Sequence, residues 1–120
     1  MDQTGELRRR TKAFALRIIK LCQSLPSTPT GRVIGNQLLR AGTAVGANYR
    51  AACRARSKPD FVSKMGIALE EADETVYWLE LLIDAGIVRE SRLQKVVQEA
   101  EEIVAIFAAS RITASQHLER

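Results

Sequence analysis

Residues 30–53 read TGRVIGNQLLRAGTAVGANYRAAC. Ile34, Leu38, Ala41, Val45, Asn48 and Ala52 recur at alternating spacings of four and three, the rhythm of one helix face. Gly35, Leu39, Gly42, Gly46, Tyr49 and Cys53 repeat that rhythm one residue later, so the apolar face is wide and flat. Each glycine costs about 1 kcal/mol in a helix interior, so close approach by a neighbouring backbone has to compensate. A bundle core needs only one stripe from each helix. The surplus width predicts contact with a second copy of the chain, through Gly35, Leu39, Gly42, Gly46 and Tyr49. Asn48 sits on the seam, where an amide loses hydration unless it finds partners. It is expected to act as a structural polar residue with Arg40, Thr43 and Glu74.

The same spacing extends in both directions. Upstream, Leu7, Thr11, Phe14, Ile18, Leu21 and Leu25 form a seam that Thr4 can cap and that the prolines at 26 and 29 end. Downstream, Ser57-Lys58-Pro59-Asp60 has the form of a helix start: a cap, a proline in the first turn and an acid in the reciprocal place. The third seam is Phe61, Met65, Ala68, Ala72, Thr75, Leu79 and Leu82, with Gly86 placed to close it. A fourth runs through Leu93, Ala100, Ile103 and Phe107. Helices are predicted over about 4–24, 31–56, 58–85 and 90–113, with a frayed tail at 115–120. With 120 residues, 5% aromatics, seven glycines and three prolines, the chain fits one domain. The expected fold is all-α: an antiparallel up-and-down four-helix bundle over residues 1–120.

Enzymatic chemistry has little to work with. The one histidine, His117, falls in the expected tail, and neither a phosphate-loop nor a zinc-protease pattern occurs. The acids Glu70, Glu71, Asp73 and Glu74 lack the histidines that carboxylate bundles add to hold metal, so a solvated or salt-bridged face is expected. Cys22 and Cys53 stand far apart and read as buried free thiols. No catalytic residue, cofactor or metal is expected. The uncharged apolar stretch 41–49 is far shorter than the roughly 20 residues of a membrane span. No signal-peptide core follows the basic start, so the expected location is cytoplasmic.

Charge is unevenly distributed. Residues 1–64 hold thirteen Lys and Arg against three Asp and Glu, whereas residues 65–120 hold five against eleven. Helix one carries Arg8, Arg9, Arg10, Lys12, Arg17 and Lys20; Arg50, Arg54, Arg56, Lys58 and Lys64 gather where helix two meets helix three. Two readings stand. Arg9, Arg10, Arg17, Lys20, Arg50, Arg54, Arg56 and Lys58 dock an RNA or DNA backbone, or the basic half pairs with the acidic half, within or between subunits.

The order Gln37-Leu38-Leu39-Arg40-Ala41, Val45, Asn48, Arg56-Ser57, Phe61, Ile67-Ala68, Glu74, Leu79 and Leu82 resembles a bacterial family. These are four-helix-bundle proteins first noticed as reading frames in intervening sequences of large-subunit ribosomal RNA genes. The likeness is densest over residues 37–86. It implies a closed ring of subunits, commonly a pentamer, and binding of RNA or of a protein partner, with no established enzymatic activity. A related bundle accompanies the reverse transcriptase of diversity-generating retroelements and is similar in its basic surface. The chain departs from the family at two places. The common Asn-x-Ala-Glu-Gly run is Asn48-Tyr49-Arg50-Ala51-Ala52 here, without the glutamate, and Glu70-Glu71 replaces the usual Gly-Ser.

Overall fold

A computed structural model describes residues 3–118, with side chains through residue 116. Four helices follow one another: α1 (Gln3–Gln23), α2 (Pro29–Cys53), α3 (Lys58–Asp84) and α4 (Glu90–Leu118). The connections are five, four and five residues long, so consecutive helices run antiparallel. α2 packs on α3, α3 on α4 and α1 on α2, while α1 and α4 meet over a smaller area. The body measures 51 × 26 × 21 Å, an elongated up-and-down bundle.

Local chemistry sets the ends. Thr28, with extended backbone, caps α2 by accepting the Gly31 N–H at 3.1 Å, and Pro29 fills the first helical position, where its missing N–H costs nothing. Ser57 caps α3 through the Asp60 N–H at 3.2 Å, and Asp60 Oδ2 accepts the Arg56 N–H in return. Gly86, at φ 71°, terminates α3. Its N–H bonds Ile83 O and the next N–H, of Ile87, reaches Leu82 O, the paired closure that a left-handed residue permits.

Three boundaries differ from expectation. Thr4 lies within the first turn of α1 rather than capping it. α2 stops at Cys53, where bonds from Arg54 to Ala51 and from Ala55 to Ala52 tighten its last turn. α4 continues to Leu118 instead of fraying from residue 115: no proline or glycine interrupts it, and Arg111 ties that end to α3 by donating from Nε to Val62 O at 3.2 Å. Residues 119 and 120 of the expected tail, and the side chain of His117, lie outside what is described.

All four seams meet in one core. Phe14, Ile18, Leu38, Val45, Met65, Leu79, Leu82, Leu93, Ile103 and Phe107 are buried in it. Burying side chains of this size contributes about 1.5–3 kcal/mol each, which is what holds the helices together. The fully buried hydroxyls of Thr11 and Thr75 are satisfied within their own helices, by Leu7 O and Glu71 O. Cys22 and Cys53 are free thiols, half-buried rather than fully buried. Among the described residues no helix is long and apolar enough to cross a membrane.

The second seam of α2 is used inside the chain, which corrects the expectation that it meets another copy. A Cβ on Gly42 would stand 2.8 Å from Ile18 Cγ2, one on Gly46 would stand 3.1 Å from Thr11 Oγ1, and one on Gly35 would stand 3.1 Å from Leu25. Gly42 and Gly46 therefore let α1 lie close against α2, and Gly35 admits Leu25 of the connection between them. Tyr49 is buried and stacks on Phe107 of α4 with centroids 5.3 Å apart and rings 11° from parallel. Of the five residues, only Leu39 is exposed.

Candidate nucleic-acid interface

The close α1–α2 packing shapes a strongly basic concavity. A groove of about 350 Å³ runs along its outer side, lined by Arg8, Arg9, Lys12 and Arg50 over a floor of Thr11, Ala15 and Gly46. Among the described residues no carboxylate lines it. Arg9 pairs with Glu6 at 3.2 Å in an exposed i, i+3 bridge, the kind that contributes little and is easily exchanged. Arg8, Lys12 and Arg50 have no salt-bridge partner among the described residues. The Arg8 Nε atom is buried without a hydrogen-bond partner there. Four cations around a shallow trough with a glycine in its floor suit a phosphodiester backbone, which needs positive charge at intervals and unobstructed approach.

The eight predicted basic residues are not brought together. Arg9 and Arg50 share this groove. Arg17 and Lys20 line a second one between α1 and α4, beside Arg92. Arg56 and Lys58 stand at the bundle end, and Arg54 is exposed on the connection between α2 and α3. Arg10, expected on the nucleic-acid surface, is withdrawn from it. Its Nε and Nη2 donate to Glu99 at 2.8 and 2.7 Å, and Nη2 also reaches Glu102 at 2.7 Å. That double hydrogen bond keeps the Glu99 carboxyl below its ordinary pKa. Arg8 and Lys12 belong to the groove and were not among the eight; their i, i+4 spacing, flanking the seam residue Thr11, is the signal that marks them.

The structural polar residues divide similarly. Arg40 crosses to α3, where it bridges Glu71 at 3.1 Å and also Glu74, and Trp78 Nε1 donates to Glu74 at 3.0 Å. Asn48 and Thr43 stay within α2, the amide donating to Ala44 O at 2.8 Å and the hydroxyl to Leu39 O at 2.7 Å. Within the chain, the Asn48 amide thus has a partner in its own helix. The outer face of α3 carries Glu70, Asp73, Glu80 and Asp84, together with the exposed apolar side chains of Ile67 and Tyr77. It is an acidic stripe on which a phosphate backbone finds only repulsion.

The family model described as 23S rRNA-intervening sequence protein matches residues 4–109. The chain belongs to that family. Its fold agrees with the crystal structure of a protein with unknown function from the S23 ribosomal protein family of Bacteroides thetaiotaomicron. The two are 34% identical, superpose with a TM-score of 0.84, and match over 92% of this chain and 98% of that one. No curated protein matches the chain. The match takes in parts of all four helices, and the α1–α2 groove lies wholly within it.

Proposed function

We propose that this intervening-sequence family protein is a non-enzymatic, cytoplasmic bundle that binds the backbone of nucleic acid, RNA in particular, along the α1–α2 groove. The observation that carries this reading is the groove itself: Arg8, Arg9, Lys12 and Arg50 around a trough that no carboxylate of the described residues lines. Phosphate binding of this kind is largely independent of sequence and depends steeply on salt. The family's name, which ties it to ribosomal RNA genes, supports RNA over DNA.

Self-assembly belongs to the same reading. Leu16, Val33 and Leu39 are exposed apolar side chains on the same two helices and supply surface that a second copy would cover. A ring, of five copies by analogy with the family, would repeat the groove around one axis and multiply its affinity. A second reading, an adaptor for a protein partner, is favoured by the acidic α3 stripe with Ile67 and Tyr77 exposed in it.

Fluorescence anisotropy with an unstructured RNA, over a salt series, tests the first reading, with light-scattering mass measured alongside. The expected result is binding that weakens steeply with salt, by a particle several times the 13.3 kDa chain mass. Absence of binding at low ionic strength overturns the RNA reading, and a single-chain mass overturns the assembly.

A further inference from the structure

At the end of the bundle where α1 and α3 begin lies an open cavity of about 480 Å³, within the size range of small-ligand sites. We propose that this cavity binds one nucleotide, with its base against Leu7, Ala52 and Phe61 and its phosphate on Arg56 and Lys58. The inference deepens the RNA reading and rests on it in taking the end of a strand as the natural source of that nucleotide.

Three observations converge on this ligand chemistry. First, among the described residues the charged ones of the lining are Arg56 and Lys58, both cations. The nearby Asp60 carboxylate is turned to the Arg56 N–H and the Lys64 ammonium. The two cations flank Ser57, the cap of α3, where the helix dipole adds positive potential. Second, a bare anion would leave the apolar part of the lining unused. Leu7 and Ala52 are buried carbon, and Phe61 is a half-buried ring. Unstacked bases at strand ends are held by surfaces of this type, an aromatic or apolar face for the ring and cations for the phosphate.

Third, the cavity lies next to the basic groove. Leu7 and Arg8 are consecutive on α1, one lining the cavity and the other the groove, and the same holds for Tyr49 and Arg50 on α2. A strand whose phosphates follow Arg50 and Arg8 would therefore have this cavity beside it.

The test is a titration of the full-length, isotope-labelled protein with 5′-AMP, followed by amide chemical shifts, with adenosine and inorganic phosphate titrated in parallel. AMP is expected to move the amides of Ala52, Cys53, Ser57 and Phe61 at up to millimolar concentration, more strongly than either fragment. Ala55→Trp, which fills the cavity from the α2–α3 connection, should weaken AMP about tenfold, a loss of about 1.4 kcal/mol. Lys58→Glu, on an exposed residue at a helix start where an acid is tolerated, should weaken it severalfold without touching the core. A 5′-phosphorylated oligonucleotide binding more tightly than AMP, and losing that advantage in Ala55→Trp, identifies the strand end as source; equal affinity identifies the free nucleotide. The proposal is overturned if AMP moves none of these amides, if inorganic phosphate reproduces the whole pattern, or if both variants bind AMP unchanged. The RNA reading fails separately, when charge reversal at Lys12 and Arg50 leaves RNA affinity intact.

Discussion

The Arg10 guanidinium holds the Glu99 carboxylate at two points, Nε to Oε2 at 2.8 Å and Nη2 to Oε1 at 2.7 Å, across 89 positions of chain. The fork joins α1 to α4, the pair of neighbouring helices that shares least surface. Its two members are 27% and 20% exposed, hidden enough that solvent does not screen the pair away. The arginine run at residues 8–10 is thereby split: Arg8 and Arg9 line the groove, while Arg10 closes the bundle.

Arg10→Ala should lower stability by about 1–2 kcal/mol, since a bidentate bond between charged groups is removed and Glu99 is left partly buried. The urea midpoint measures it. A double-mutant cycle with Glu99→Gln should return a coupling energy of similar size, and a coupling near zero would show that the fork contributes nothing.

The same pair sets a pH dependence. Glu99 is held below its ordinary 4.5 by the hydrogen bond from Arg10, so the unfolded chain takes up this proton before the folded one does. The pair's contribution is complete above the ordinary glutamate pKa and is lost as the pH falls through the lower native value. Thermal midpoints followed downward from about pH 5 should fall less steeply in Glu99→Gln than in the parent.

Gly42→Ala should destabilise by about 1–2 kcal/mol although alanine favours helix by about 1 kcal/mol. The new Cβ would stand 2.8 and 2.9 Å from Ile18 Cγ2 and Cγ1, and Ile18 is fully buried with nowhere to move. Gly46→Ala, with its nearest neighbour atom at 3.1 Å, should be milder. Gly42→Leu, which brings a larger group to the same place, should unfold the chain. Denaturation curves of the three variants rank them, and a stabilised Gly42→Ala would mean that glycine does not set the approach of α1.

Gly86→Ala introduces no clash, because nothing lies within 4 Å of the added carbon. The cost is purely conformational: φ 71° disfavours a side chain by about 1–2 kcal/mol. Gly86→Asn should cost less, as asparagine adopts this conformation more readily. Equal losses would argue against a conformational cause.

Lys12→Glu and Arg50→Glu lie on exposed residues and should change stability by less than about 0.5 kcal/mol. Each should weaken RNA binding and flatten its logarithmic salt dependence by about 0.7 for every phosphate the variant ceases to neutralise. Arg89→Glu, remote from the groove at the α3–α4 connection, serves as the control and should bind as the parent does.

Much of this protein was legible along the chain. The alternation of four and three in residues 34–53 predicts α2, Ser57 and Gly86 mark the two ends of α3, and the seams of all four helices supply the core. The candidate site was legible only as a basic half. Counting cations placed Arg10 on the nucleic-acid surface and passed over Lys12, because nothing local distinguishes an arginine that reaches a glutamate 89 positions away from one that faces solvent.

The second apolar seam of α2 shows the same division. Its width was plain, but whether α1 or another copy covers it depends on how the helices rotate and slide against each other. Helix periods, caps and turns are short-range interactions among residues a few positions apart, so residue order alone determined them. Which glycine admits which side chain, which arginine finds an acid, and where a cluster of cations meets an open cavity are long-range pairings. Only the packing of four helices around one core decided those.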